Sequence, residues 1–155
     1  MSGGQFLPVF RTFVPDAPRA VLRTKRAEMR GAGQHLRKMD IEEVRYYCLT
    51  LPGVTEDMPY GPDWVVFRIG GKIFLHISLA RQLIAIKLRP EHGEALRDRF
   101  EAVRPAWHMN KRHWNDIDTE GTFPREVIEA WIRESYSLVL AKLPKAEREK
   151  YAPLA

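Results

Sequence analysis

The feature that most constrains the fold is a pair of alternating apolar runs separated by two glycines. The runs WVVFRIG and KIFLHIS are rich in β-branched and aromatic residues and meet at Gly70-Gly71. Glycine readily adopts the positive φ angles that a two-residue hairpin turn requires, so this stretch predicts a β-hairpin. A third run of the same kind, QLIAIKL, follows. The three runs together predict an antiparallel meander.

Pairing across the hairpin assigns side chains to the two faces of the sheet, because successive residues of a strand point in opposite directions. One face receives Val65, Phe67 and Ile69, and the other receives Trp64, Val66 and Arg68. Strict alternation also puts His76 on the same face as Phe74. A histidine between apolar strand neighbours is more often a hydrogen-bonded sheet residue than a ligand, and we interpret His76 in that way.

Three segments have the apolar periodicity of helices. Asp40 and Glu43 have the spacing of a capping box, and they predict a helix over residues 41 to 50 that ends at Pro52-Gly53. The segment RPEHGEALRDRFEA begins with a proline that suits a first helical turn and turns Leu96 and Phe100 inward. The segment TFPREVIEAWIRESYSLVLAKL is a long amphipathic helix with Thr122 as a plausible cap.

Two short strands, VRPAW and HWNDID, flank the polar connection HMNKR between the second and third helices. The resulting order is helix, three strands, helix, two strands, helix. This order predicts an α+β fold in which a mostly antiparallel sheet has helices packed on one face. The other face of the sheet is expected to be open or covered by something else.

Size and composition limit the classes of protein to which the chain can belong. A chain of 155 residues with 45% hydrophobic residues is large enough for one globular domain. A single cysteine, Cys48, excludes an intramolecular disulfide framework, and its place on the apolar stripe of the first helix indicates a small core residue. No apolar run approaches the roughly 18 residues that a membrane span requires, so we expect no membrane contact and a cytoplasmic location.

The net excess of positive charge lies in the N-terminal segment. Residues 1 to 38 carry eight Lys and Arg against two acids, whereas the remainder carries seventeen basic and eighteen acidic residues. We therefore divide the chain into a basic arm (1–38), a domain (39–145) and a loose C-terminal tail (146–155). The arm is interpreted either as a phosphate-contacting extension or as a segment upstream of a start at Met39.

One stretch concentrates polar and aromatic side chains. The segment PAWHMNKRHWNDI, residues 105 to 117, combines hydrogen-bond donors with flat rings that can stack. Anchoring of the core by the two tryptophans, with a solvated basic turn between them, is the structural alternative. The candidate binding residues are Trp107, His108, Asn110, Lys111, Arg112, His113 and Trp114, with Tyr60 added from the segment EDMPYG.

The sequence contains no motif for a metal site, a catalytic nucleophile or a phosphate-binding loop. The two histidines of this stretch are five residues apart, which is not the spacing of a helical metal pair, and the chain has no cysteine cluster. There is no nucleophile elbow and no glycine-rich phosphate loop. The sequence therefore assigns no catalytic residue, no metal ligand and no cofactor.

Three blocks of the sequence resemble one known family. The residues Pro105-Ala106, His108-Met109-Asn110-Lys111 and His113-Trp114 are similar to the signature of the MmcQ/YjbR family, also called DUF419. The block LPGVTEDMPYGPDWVVFRIGGKIFLHIS and the closing segment VIEAWIRESYSLVLAKLPK resemble two further family blocks, in the same order. The resemblance implies a frataxin-like (CyaY-like) arrangement of sheet and helices. It implies no catalytic mechanism, and DNA binding has been suggested for such proteins chiefly by analogy of fold.

Two functional hypotheses follow. The first is a nucleic-acid (DNA) binding module in which the 107 to 114 turn and the arm contact phosphates. The second is a protein that binds or sequesters a small planar or anionic ligand in a cleft between EDMPYG and HMNKRHW. An enzymatic function would additionally require His108 or His113 within reach of a carboxylate, which sequence does not show.

Overall fold

The computed structural model describes residues 38–107, 109–120 and 123–154, so nearly all of the predicted arm lies outside the described residues. The described helices and strands follow one another in the order α1 (Ile41–Thr50), β1 (Thr55–Asp57), β2 (Trp64–Ile69), β3 (Lys72–Ser78), β4 (Leu83–Lys87), α2 (Pro90–Arg99), β5 (Val103–Pro105), β6 (Trp114–Ile117), α3 (Arg125–Ala141), α4 (Lys145–Arg148) and a 3₁₀ helix (Glu149–Leu154). None of the described helices has the length and apolar character needed to cross a membrane.

These six strands form one antiparallel sheet in the order β1-β2-β3-β4-β6-β5. Gly70 and Gly71 connect β2 to β3 with φ angles of 59° and 80°, which confirms the hairpin. The meander β2-β3-β4 is also confirmed. The three-residue strand β1 was not predicted, because the segment Thr55–Asp57 is polar and too short to show an alternating pattern.

The helices pack on one face of the sheet, and the predicted α+β fold is confirmed. A single apolar cluster joins the buried stripe of α1, represented by Ile41, Val44 and Cys48, to the sheet and to α3. Burial of one large apolar side chain stabilises a fold by about 1.5–3 kcal/mol, so a shared cluster of this size holds the layers together. The predicted inward faces of α2 and α3 are confirmed by the burial of Leu96 and Trp131.

One face assignment was wrong. The register between β2 and β3 shifts between Phe67 and Arg68, because Phe67 pairs with Leu75 while Arg68 pairs with Ile73. Phe74 is the extra residue of this bulge, and it packs in the core, with its ring centroid 5.5 Å from that of an α3 tyrosine. A bulge interrupts strict alternation. His76 therefore lies on the face opposite Phe74.

The helix ends agree in part with the predictions. The Asp40 carboxylate accepts a hydrogen bond from the Glu43 backbone N–H at 2.9 Å, and the Glu43 side chain accepts from the Asp40 N–H at 3.3 Å, which confirms the capping box. Thr122, the predicted cap of the last long helix, lies outside the described residues. In the structure Pro124 occupies the N-cap position of α3 in an extended conformation.

The segment expected to be a loose tail is helical over much of its length. Pro144 precedes the four-residue helix α4, and a 3₁₀ helix continues to Leu154. The ring of Tyr151 packs directly over Gly53, where a Cβ atom would lie 2.2 Å from the nearest ring atom. Pro144 is the N-cap residue of α4, and its fixed φ suits a helical N-terminus.

Candidate functional site

The sheet face opposite the helices holds a cavity of about 480 Å³. Its floor follows a row of residues across three strands, because His76 pairs with Ala85 and Ala85 pairs with Asp116. Ala85 carries only a methyl group, so the row is lowest at its centre. We call this cavity the aromatic pocket, and it is lined by Tyr60, Trp64, Ile73, His76, Arg81, Ala85, Trp107, Met109, Trp114 and Asp116.

Aromatic rings surround the His76 side chain. Its ring centroid lies 5.3 Å from that of Trp114 and 6.3 Å from that of Trp64, both in edge-to-face geometry. The Tyr60 ring lies nearly parallel to the imidazole, at a centroid distance of 6.5 Å. Trp107 adds a further indole and is 65% exposed, which is unusual for so large an apolar side chain. The pocket therefore offers several flat apolar surfaces.

His76 is neutral at physiological pH. Burial, with a smaller contribution from the positive charge of Arg68, lowers the pKa of its imidazole to about 4. A neutral imidazole has one N–H donor and one acceptor nitrogen. His76 can therefore exchange hydrogen bonds with a ligand without adding charge to the pocket.

An ion pair lies at the other end of the row. Asp116 Oδ2 is 3.6 Å from Arg81 Nη1, and the Asp116 carboxylate also accepts a hydrogen bond from the backbone N–H of Trp107. Burial raises the pKa of Asp116 above its ordinary value, while Arg81 and Arg104 act in the opposite direction. A buried acceptor and a guanidinium donor thus lie side by side in an apolar cavity.

The turn between β5 and β6 is organised by Asn110. Its side-chain oxygen accepts a hydrogen bond from the Arg112 N–H, and its backbone oxygen accepts from the N–H groups of His113 and Trp114. These bonds close the turn and orient the start of β6. Asn110 therefore acts on the site by shaping the turn, and it does not line the pocket.

The structure brings together only part of the predicted binding set. Tyr60, Trp107 and Trp114 line the aromatic pocket. The remaining described members, which are Asn110, Lys111, Arg112 and His113, belong to the turn beside it. His108 lies outside the described residues. The predicted convergence of the two segments is therefore carried by aromatic side chains, whereas the polar residues of the turn surround the pocket without lining it.

Cations gather beside the pocket at the end of the sheet where β4 stops and β6 starts. Burial lowers the pKa of His113, and Lys87, Lys142 and Arg112 lower it further by charge repulsion. Burial likewise lowers the pKa of Lys87, with a contribution from Lys142. We call Lys87, Arg112 and Lys142 the cationic end. His113 lies beside them and, because its pKa is lowered, is an uncharged hydrogen-bonding group at neutral pH.

Sequence reasoning missed several pocket residues. Arg81, Ala85 and Asp116 were not among the predicted binding residues. Each of these residues is unremarkable in its own segment, since the pocket depends on pairing between strands distant in sequence. The cross-strand register is the signal that would have found them, because His76, Ala85 and Asp116 form one row.

Other site chemistries find no support in the part of the chain that the structure describes. No group of three or more His, Cys, Asp or Glu side chains there is placed to hold a metal ion. Cys48 is fully buried, and burial raises the pKa of its thiol, which disfavours the reactive thiolate. The charged groups that act on His113 are all cations, so the carboxylate partner that an enzymatic reading requires is not among them.

Fold and sequence together place the chain in a family. The YjbR family model matches residues 49–138, which contain the sheet, α2 and most of α3. The chain belongs to the YjbR family, and the resemblance to MmcQ/YjbR (DUF419) proteins is confirmed.

Two relatives and two solved structures illustrate the match. The chain is 31% identical to protein YbdF of Escherichia coli O157:H7 over 72% of its length and 93% of the relative, and 30% identical to YjbR of E. coli K12 over 72% and 96%. Both relatives are named as uncharacterized proteins. The crystal structure of the DUF419 protein DR2400 from Deinococcus radiodurans matches with a TM-score of 0.69 and 29% identity, covering 76% of this chain and 91% of that one. A Pseudomonas syringae protein matches with a TM-score of 0.54 and 26% identity, covering 63% and 96%.

Proposed function

We propose that this protein binds a small planar heteroaromatic molecule in the aromatic pocket. The observation that carries the proposal is the pocket itself, a cavity of about 480 Å³ whose walls are aromatic and whose floor holds a small number of polar groups. Ligand sites typically have volumes of about 300–1,000 Å³, apolar walls and a few well-placed polar groups. A basic turn that was merely solvated would require no such concavity.

The dimensions of the row suit a flat ring. His76 and Asp116 belong to strands separated by β4, so their Cα atoms are about 10 Å apart at the usual spacing of strands. Ala85 lies between them and leaves the space above the floor open. A planar ligand above Ala85 would contact Trp114 or Tyr60 with its face and the polar ends of the row with its edges.

The polar groups favour a ligand whose ring carries both donors and acceptors. Asp116 supplies acceptor oxygens, Arg81 supplies guanidinium donors, and neutral His76 supplies one of each. Because Arg81 and Asp116 largely balance each other in charge, the ring itself is expected to be uncharged. Nucleobases have this combination of flatness and alternating donors and acceptors, and we use them as the test ligands.

The experiment is isothermal titration calorimetry of the full chain with adenosine, guanosine, cytidine and uridine. The blocking variant is Ala85→Leu, which fills the floor of the pocket from a position outside the apolar cluster beneath the helices. The matched control is Ala146→Leu, on the exposed surface of α4. We expect saturable binding of at least one nucleoside, retained in the control and lost in Ala85→Leu. If the panel gives no binding, or if Ala85→Leu binds as the wild type does, the proposal is wrong.

Contact with nucleic acid is the second candidate function, and the cationic end is the observation that favours it. Lys87 and Arg112 lie close enough together to act on the same histidine, and Lys111 is exposed on the same turn as Arg112. Arg81 does not add to this surface, because its guanidinium is paired with Asp116. The cationic surface is therefore smaller than the sequence implied, which is why we place this function second.

Its test is fluorescence anisotropy of a labelled duplex and a labelled single strand, titrated with the full chain over a series of salt concentrations. The variant Lys111→Ala/Arg112→Ala should weaken binding and reduce its salt dependence. Fewer phosphates are neutralised on binding, so fewer counterions are released from the nucleic acid. The control Arg99→Ala/Lys145→Ala removes the same charge from exposed positions on α2 and α4. Equal binding by the turn variant and the wild type would remove the turn from the nucleic-acid hypothesis.

A further inference from the structure

The cationic end borders the aromatic pocket at Trp114. Trp114 lines the pocket, and its cross-strand partner on β4 is Lys87. Side chains of directly paired residues lie on the same face, with their Cβ atoms about 4.5–5.5 Å apart. The alternation of β4 agrees, since Ala85 lies in the pocket and Lys87 is the next residue on that face. A ligand that stacks near Trp114 therefore has Lys87 within reach of a substituent.

The other cations approach from neighbouring elements. Arg112 comes from the turn that leads into Trp114, and Lys142 is the C-cap residue of α3. Carbonyl dipoles at the end of a helix favour a cation, which accounts for Lys142 on its own. They do not account for Lys87, which lies on a strand and is held in a partly buried position near Lys142. Bringing these like charges together costs free energy that an anion would offset.

We propose that the cationic end binds a phosphate group attached to the heterocycle in the aromatic pocket, so that the ligand class is a nucleoside phosphate. This inference rests on the proposed function of the pocket. A phosphate monoester carries about −1.5 to −2 charges at neutral pH, and a group of several cations suits that charge better than the single charge of a carboxylate. Lysine binds phosphate as a point charge, which fits Lys87 and Lys142.

The same chemistry can come from two sources, a free mononucleotide or one nucleotide of a single strand. Both present a base for the pocket and a phosphate for the cationic end. The openness of the pocket towards Trp107, which is 65% exposed, is compatible with either source. The experiment therefore compares a nucleoside, its 5′-monophosphate and a short single strand of the same base.

The test measures dissociation constants of the full chain for the tightest-binding nucleoside of the panel and for its 5′-monophosphate. We expect the monophosphate to bind about tenfold more tightly, which corresponds to one or two charged contacts. In the variant Lys87→Gln/Lys142→Gln the ratio of the two dissociation constants should fall to about twofold or less. The control Arg99→Gln/Lys145→Gln removes the same charge elsewhere and should keep the wild-type ratio.

Each outcome separates this inference from the function on which it rests. If the nucleoside binds in the pocket and the monophosphate binds no more tightly, the phosphate site is wrong and the pocket proposal stands. If the control variant lowers the ratio as much as the lysine variant does, the effect is general electrostatics and the site is wrong. If no nucleoside binds, both proposals fail. If the single strand binds more tightly than the monophosphate and depends equally on the two lysines, the site stands and its source is a nucleic-acid strand.

Discussion

The buried histidine of the pocket predicts a specific dependence of stability on pH. Burial holds the pKa of His76 at about 4 in the folded protein, against 6.5 for an exposed imidazole. Between these two values the unfolded chain binds a proton at His76 and the folded chain does not. The free energy of unfolding therefore falls as pH drops from 6.5 to 4 and levels off below 4 for this group. The full loss is about 3.5 kcal/mol, since one pKa unit corresponds to about 1.4 kcal/mol.

The assay is urea unfolding, followed by circular dichroism, of the wild type and of His76→Leu across this pH range. Other groups titrate in both proteins, so the quantity of interest is the difference between the two pH curves. We expect the wild type to lose about 3.5 kcal/mol more than the variant on full acidification. A pH titration of the imidazole C–H signals by NMR gives the folded pKa directly. Parallel stability curves, or a folded pKa near 6.5, would show that the pocket does not desolvate His76 as described.

Three further predictions concern stability and reactivity. Glu134→Ala should destabilise the fold by about 3–5 kcal/mol in urea unfolding, because the buried carboxylate accepts hydrogen bonds from the buried His92 and from the backbone N–H of Arg89. The control Glu126→Ala, at an exposed position on the same helix, should cost little stability. Cys48 should react with a thiol reagent only on unfolding, since its side chain is fully buried and burial raises the pKa of its thiol; rapid modification of the native protein would contradict this. Gly70→Ala should cost more stability than Gly71→Ala, because both have positive φ but only at Gly70 would a Cβ meet a core leucine, at 2.6 Å; equal losses would refute the packing argument.

Local signals made much of the fold predictable. The hairpin followed from Gly70-Gly71, whose φ angles only glycine adopts readily. The capping box of α1 followed from the spacing of Asp40 and Glu43. The bulge at Phe74 was not predictable in this way, because it depends on the pairing of β3 with β2 and on the packing of Phe74 against α3. The helical C-terminal segment similarly depends on tertiary contacts, such as the packing of its tyrosine ring over Gly53.

The residues of the candidate site were likewise predictable only where the signal is local in sequence. Trp107 and Trp114 were predicted because they stand in a dense local stretch of aromatic and basic residues. The floor of the pocket could not be found locally, because His76, Ala85 and Asp116 become neighbours only when β3, β4 and β6 pair. His76 was interpreted as an ordinary sheet residue, and the structure places it in the pocket instead of in the apolar core. A single sequence indicates the period of each helix or strand and which of its residues share a face. It does not indicate how strands that are distant in sequence align with one another.

The most direct test of the central claim uses the indole N–H signals of the protein in a proton–nitrogen correlation spectrum. The chain has four tryptophans, of which Trp64, Trp107 and Trp114 line the aromatic pocket and Trp131 lies on the buried face of α3. During titration with the nucleoside panel, the three pocket signals should shift in a saturable manner with at least one nucleoside, while the Trp131 signal stays in place. Pocket signals that remain unchanged throughout the panel, or that shift equally in Ala85→Leu, would contradict the assignment of this cavity as a binding site.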